Sequence, residues 1–413
     1  MQFIRGLKAI GKENGQVLIM LALLLPLLCI FVGFAIDFGF AFLVRTNLAK
    51  GADAAALATM RNLGKGTTQA QAIGQLIFNL NNNHGPNLFV TAPSANIQIS
   101  TSGDPVVNVI ASAKIHTFFI GMAGFPTLTV AASSQATRPP IILSLVLDKS
   151  GSMNDNGGAA ALPGSVEDFV GYFLEGTDQL GETSFSWTGQ DDVNISSTFQ
   201  SSITSSVKSI TFDGATYAYG GLQDAEGQIT GVSSPPANAV KVAVFFTDGW
   251  ANSIQSTVAG NPVNFGGCAP AEFSVGWCNG VSCWNGTNGK SIGGTVVSTT
   301  DTAATCDGVS TFTPQDTALG SSAKLTINNI ATEADYRAVQ LANTMRGQGI
   351  TVYSIGLGDK INQTYLYEMA NDPASPEYNA NEPSGIAAFA PTADALDSAF
   401  QVIASNILLR LTQ

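Results

Sequence analysis

The chain has 413 residues, of which 45% are hydrophobic and only 12% charged; this supplies roughly two or three packed units and excludes wholesale disorder. With 30 acidic against 18 basic residues the net charge is −12, so the basic footprint that a phosphate backbone requires is missing and nucleic-acid binding is excluded. His84 and His116 are the only histidines, which removes imidazole-dependent hydrolase and zinc chemistry from the last two thirds of the chain.

Val17 to Ile36 carries no charge and is long enough, at about 20 residues, to cross a ~30 Å hydrocarbon core as a helix. Arg5, Lys8 and Lys12 precede it, Asp37 follows, and the next basic residue is Arg45. That bias predicts a cytoplasmic N-terminus and an exported remainder, in keeping with a surface rich in Gly, Ser, Thr and Asn. The run exceeds the about 7–15 residues of a cleaved signal core. It continues through the Ala-rich stretch to Arg61, so residues 1–62 read as one long helix or two collinear ones. Cys29 lies inside the run as a lipid-facing or helix-packing thiol.

Residues 63–138 read as a small α+β segment. A helix is predicted over about Thr67–Leu80, then strands over Ala95–Ser100, Pro105–Lys114 and Leu128–Ala136, where apolar and polar residues alternate. From 141 to 413 the pattern changes. Ile141–Leu147, Val240–Phe246 and Ile350–Leu357 are nearly continuous apolar runs, as strands buried on both faces require. Helices are predicted over Pro163–Leu174, Tyr217–Ile229, Thr332–Arg346 (with Gly347 as its stop) and Thr392–Leu409. This alternation predicts an α/β unit, a doubly wound and mainly parallel sheet with helices on both faces. About 251–322 breaks the alternation and reads as an insertion. It holds Cys268, Cys278, Cys283 and Cys306, with gaps of nine, four and 22 residues. An even count in an oxidising compartment predicts two disulfides of unassigned pairing; free thiols and a metal site are the alternatives. The acid-rich Asp372–Glu382 reads as a solvated loop, and the four tryptophans as anchors, with Trp250 flanking the site described next.

Asp148, Ser150 and Ser152 follow the first buried strand, Asp248 follows the second, and Thr216 precedes a helix. The carboxyl ends of parallel strands share one edge, so Asp148 and Asp248 are expected to converge there. Taken singly, these residues are also ordinary caps and turns. Taken together they form an all-oxygen set suited to a hard divalent cation, Mg²⁺ first, with Mn²⁺ and Ca²⁺ as alternatives. One open position on the ion would take a carboxylate from a protein partner. No GxSxG elbow and no phosphate-binding loop is present, and no general base is evident, so an enzyme is not expected.

Residues 141–413 resemble a von Willebrand factor A domain. Asp148-Lys149-Ser150-Gly151-Ser152 looks like that family's DxSxS metal-ion-dependent adhesion motif, with Thr216 and Asp248 at its remaining ligand positions. The resemblance implies direct contacts from Ser150, Ser152 and Thr216, and contacts mainly through water from Asp148 and Asp248. Residues 15–58 are similar to the TadE/TadG-like segment of Tad (tight-adherence) pilus-assembly proteins, through Asp37-Phe38-Gly39 and the Ala52–Ala58 run; Leu409–Gln413 looks like a TadG-type tail. The two together imply a single-pass, non-enzymatic pilus-assembly or adhesion protein of the bacterial inner membrane. Its A domain would stand in the periplasm or reach the surface, with pilus-assembly components as partners, and its apolar helix permits self-association. An envelope adaptor or metal-responsive scaffold unrelated to pili is the alternative.

Overall fold

The computed structural model describes residues 14–82, 89–101, 104–258, 261–267, 291–292, 295–296, 311–324 and 327–410. Two compact units result: residues 1–60, 67–100 and 106–136 form the first, and 61–66, 101–105 and 137–413 the second. The basic flank before residue 14, His84, Trp277, Trp284, the four cysteines from Cys268 to Cys306, and the last three residues lie outside the described residues.

In the first unit the apolar run folds as α1 (Asn14–Arg61), 48 residues with Pro26 inside it. At 1.5 Å per residue this helix is about 72 Å long, more than twice a hydrocarbon core. Its first part, long and apolar enough to cross a membrane, leaves its leucines exposed. Farther along, Ala52, Ala55, Ala56 and Met60 are buried, as are Ala70 and Phe78 of α2 (Thr67–Asn81). The strands are β1 (Phe89–Ser100), β2 (Val106–His116) and β3 (Thr127–Thr137), in that order in one sheet, with β1 and β2 antiparallel. Alternation in β2 buries Val107, Val109, Ala111 and Ala113 on one face.

The second unit is built on β4 (Ile141–Asp148), which is buried along its whole length. After α3 (Gly158–Val170) come β5 (Gln179–Phe185), β6 (Gly189–Ser196), α4 (Gln200–Lys208), α5 (Ala218–Thr230) and β7 (Val240–Thr247). The insertion holds β8 (Ser253–Val258), β9 (Asn261–Gly267), a short pair β10 (Ser291–Ile292) and β11 (Thr295–Val296), then β12 (Thr311–Phe312); β13 (Ala323–Lys324) follows directly after it. The unit ends with α6 (Ile327–Gly347), β14 (Ile350–Leu357), α7 (Gln363–Ala370), β15 (Ala387–Ala390) and α8 (Leu396–Arg410). The main sheet has the order β15-β14-β7-β4-β5-β6; every pair is parallel except β5–β6. The expected doubly wound, mainly parallel sheet is therefore present.

Strand periodicity splits the core in two. Leu143, Leu145 and Leu147 of β4, with Val242, Val244 and Phe246 of β7, pack on one face against Phe169 of α3 and Phe400 and Ile403 of α8. Ile142 and Val146, with Ala243 and Phe245, pack on the other against Leu222, Ala338 and Leu366 of α5, α6 and α7.

Several expectations need correction. Pro163 lies inside α3, which begins at Gly158, so it does not mark the helix start. Gly347 still belongs to α6; the left-handed residue that reverses the chain is Gly349, at φ 81°. The 251–322 stretch is not bare loop. β8, β9, β12 and β13 form a sheet of their own, and Ile254, Phe312 and Ala323 bury against the α5–α7 face. Its returning arm is fixed by Glu333, whose carboxylate accepts from the Gln315 and Asp316 N–H groups at 2.7 and 3.0 Å and pairs with Arg337 at 2.6 Å. Nor is Asp372–Glu382 simply solvated. Asp372 is buried and accepts from the Ala374 and Ala387 N–H groups, and Glu382 pairs with Arg346 at 3.0 Å.

Candidate metal centre

The register that pairs Leu147 with Phe246 brings the carboxyl ends of β4 and β7 level, so Asp148 and Asp248 leave the sheet at one edge. Here the chain runs from β4 to β5 on one side and β7 lies on the other, the crevice position of an open α/β sheet. Both carboxylates are buried, at 0% and 3% exposure, as are Ser150 and Thr216.

The contacts form one cluster. Asp148 Oδ1 accepts from the Ser150 N–H at 2.8 Å, and its Oδ2 from the Thr247 hydroxyl at 2.7 Å. Ser152 Oγ donates to Asp248 Oδ1 at 2.7 Å and lies 3.0 Å from Ser150 Oγ. Asn156 Nδ2 donates to Asp248 Oδ2 at 2.8 Å. Ser150 makes no side-chain cap to the turn it precedes, and the residue at the cap position of α5 is Tyr217, not Thr216, so neither Ser150 nor Thr216 serves as a simple side-chain cap.

Thr216 joins through its backbone. Its N–H donates to Asn252 Oδ1 at 2.8 Å and its carbonyl accepts from the Asn252 N–H at 3.1 Å. The Gly151 N–H donates to the Gly214 carbonyl, and the Asp213 N–H to the Lys149 carbonyl, tying the 148–152 and 213–216 loops together. Gly214 holds φ 96°, and a Cβ there would lie 2.5 Å from Trp187 Nε1. Gly214→Ala is therefore expected to cost about 1–3 kcal/mol, read as a lowered urea midpoint of the full chain in micelles.

Burial raises the pKa of both carboxyls; at Asp248 the Asp148 charge adds to it. The groups that lower these pKa values are hydroxyls, an amide and backbone N–H groups, none of them charged. Among the described residues no three His, Cys, Asp or Glu side chains cluster as a metal site. The set that exists here is two carboxylates with hydroxyls, the chemistry of a hard cation. It fits: the Ser152 proton is directed at Asp248, so Ser152 Oγ has one lone pair turned to the Ser150 hydroxyl and a second that can face a positive ion.

All five residues singled out in the sequence are thus at this edge. Thr247, Asn156 and Asn252 were not. Thr247 ends β7 directly before Asp248, and Asn252 stands just before β8; Asn156 has no comparable signal. Lys149 turns away to Gln190 Oε1 at 2.7 Å. Trp250, 42% exposed, lines a cavity of 690 Å³ with Asp335, Arg346, Tyr365 and Glu368, where burial pushes the Asp335 carboxyl up to about 7.

Residues 15–62 match the model of the family described as "Putative Flp pilus-assembly TadE/G-like". No curated protein matches the chain. Solved structures with some likeness include the pilus adhesin SpaC of Lactobacillus rhamnosus GG, 14% identical, covering 79% of this chain and 36% of that one, TM-score 0.43. The von Willebrand factor domain of the type V pili tip protein Mfa5 of Porphyromonas gingivalis is 15% identical, covering 67% and 98%, TM-score 0.42. Proximal thread matrix protein 1 of the mussel byssus, with a zinc-occupied MIDAS motif, is 13% identical, covering 66% and 46%, TM-score 0.37. The chain thus spans less than half the length of the first of these structures. At such values the likeness adds nothing to what the topology of this chain already establishes.

Proposed function

We propose that the chain is a membrane-anchored, non-enzymatic pilus-assembly or adhesion protein that holds a protein partner through a divalent ion at the β4–β7 edge. The observation that carries this reading is the convergence of two buried carboxylates with the Ser150 and Ser152 hydroxyls in one uncharged-partner cluster. The family match over 15–62 supports the pilus assignment, and α1 supports a single span. With the N-terminus cytoplasmic in the inner membrane, the second unit stands in the periplasm.

Ser150, Ser152 and Thr216 would hold the ion directly, with Asp148 and Asp248 acting mainly through water; Mg²⁺ is the first choice. The ion supplies a positive point that accepts a carboxylate from the partner. The protein's own task is positional. Asp148 and Asp248 accept hydrogen bonds from the Thr247 and Ser152 hydroxyls, and Asn252 fixes the loop that carries Thr216. No histidine occurs after His116, in keeping with binding rather than turnover.

The test is calorimetric titration of Mg²⁺, Mn²⁺ and Ca²⁺ into the full chain in micelles, repeated on Asp148→Ala and Thr216→Ala. Saturable binding is expected, weakened about 10–100-fold in both variants. Absence of binding by the folded parent, or equal binding by both variants, overturns the metal site.

A further inference from the structure

The connection between β2 and β3, Thr117–Pro126 (TFFIGMAGFP), has no charged residue. Its large side chains enter no core. Phe118, Phe119, Met122 and Phe125 are all exposed, Met122 at 82%. Its backbone is nonetheless fixed. The Asp37 carboxylate, itself buried, accepts from the N–H groups of Phe118, Phe119 and Ile120 at 2.7, 2.8 and 2.7 Å. The loop also closes on itself. The Thr117 N–H donates to the Pro126 carbonyl at 3.1 Å, the Thr117 hydroxyl to the Phe125 carbonyl at 2.6 Å, and the Phe125 N–H to the Ile120 carbonyl at 3.3 Å.

From the Asp37 clamp the loop runs back along the apolar part of α1. Phe119 lies on Gly33, where a Cβ would come within 2.5 Å of the Phe119 Cβ, so only glycine admits it. Phe119, Ile120 and Met122 line one apolar pocket with Cys29, Ile30 and Phe34. Cys29 precedes Asp37 by eight residues, about 12 Å along a helix.

We propose that Thr117–Pro126 is a re-entrant membrane loop, embedded in the leaflet at the Asp37 end of the span, with lipid covering its exposed apolar face. The inference rests on α1 crossing the bilayer, since whatever packs on residues 29–34 then shares their depth. Lipid is the occupant because the exposed side chains of the loop continue those of Ile30 and Phe31 on α1. The closed backbone fits as well. Irregular chain at membrane depth needs its N–H and C=O groups satisfied from within, and Asp37 supplies three of those partners. Asp37 thereby acts as the seat of the loop as well as the residue that ends the apolar run.

The test is fluorescence of the full chain in phosphatidylcholine–phosphatidylglycerol vesicles whose acyl chains carry bromine, a contact quencher, either near the headgroup or near the bilayer centre. Met122→Trp reports the loop and Leu24→Trp the span; the native tryptophans all lie beyond residue 186. Met122→Trp is expected to lose most of its added emission, more to the shallow bromines, and Leu24→Trp more to the deep ones. Adding Asp37→Ala is expected to release Met122→Trp from quenching while Leu24→Trp stays quenched. If Leu24→Trp is quenched and Met122→Trp is not, the loop stands in water and this inference fails while the span survives. If neither is quenched, α1 does not cross and the membrane anchor fails with it. Quenching of Met122→Trp that Asp37→Ala leaves unchanged overturns the role of Asp37.

Discussion

Asp178→Ala is expected to destabilise the second unit by about 3–5 kcal/mol, the largest single-residue effect anticipated in this chain. The carboxylate stands just before β5 and is fully buried with its partner. It takes both terminal nitrogens of Arg138, at 2.7 and 2.6 Å, and also the N–H groups of Ile141 at 3.1 Å and Leu174 at 2.8 Å. It therefore joins the entry to β4, the chain after α3 and the start of β5. Removing it leaves a guanidinium buried beside the Pro139 carbonyl and two N–H groups without their acceptor. Replacing the pair together, Arg138→Met with Asp178→Leu, is expected to recover only part of the loss, because those N–H groups stay orphaned. Urea unfolding of the full chain in micelles, followed by tryptophan fluorescence, measures both. A loss below about 1 kcal/mol for Asp178→Ala would place the pair among ordinary exposed ion pairs and refute the argument.

Glu182→Gln is expected to stabilise the same unit at alkaline pH and to do nothing at pH 4. Glu182 sits in β5, between β4 and β6, and its Oε2 has no hydrogen-bond partner, while Oε1 accepts only from Ser206 at 3.3 Å. Burial, then the Asp192 charge, pushes its carboxyl from the usual 4.5 up to about 8. The folded form therefore keeps a proton that the unfolded chain gives up. Stability from this group is complete below pH 4.5 and drains away as pH rises towards 8. Glutamine stays neutral throughout, so the variant should gain roughly 2–4 kcal/mol over the parent by pH 8.5. Thermal midpoints of both proteins at pH 4, 6 and 8.5 decide the matter; parallel curves would mean that Glu182 ionises freely in the folded state.

Glu182 also explains where the sequence was silent. The three strands buried on both faces announce themselves as apolar runs, and the helices after them follow from alternation. β5 does not, because Gln179-Leu180-Gly181-Glu182-Thr183-Ser184-Phe185 places Glu182, Thr183 and Ser184 inside the molecule. Local composition reads as polar turn; only the pairing with β4 makes it a strand. β6 is masked in the same way by Asp191 and Asp192. The meeting of Asp148, Ser150, Ser152 and Asp248 was more legible than the fold around them, since these four follow the ends of β4 and β7. What local sequence does not carry is the cross-chain support from Asn156 and Asn252, whose partners are 92 and 36 residues away. Likewise Asp37 reads as the residue that ends a hydrophobic run, and its grip on residues 118–120 is visible only once β2 and β3 are folded.

The two borders of the main sheet carry a consequence for how copies of the chain can meet. A free strand border is a template on which a neighbouring copy can lay its own backbone. Here one border is β15, four residues long, and the other is β6, antiparallel to the rest and carrying adjacent aspartates in the middle of its run. Brevity at one end and paired negative charge at the other discourage a second copy from extending the sheet. Neighbouring copies can therefore meet through loops and helices without their sheets fusing into fibrils.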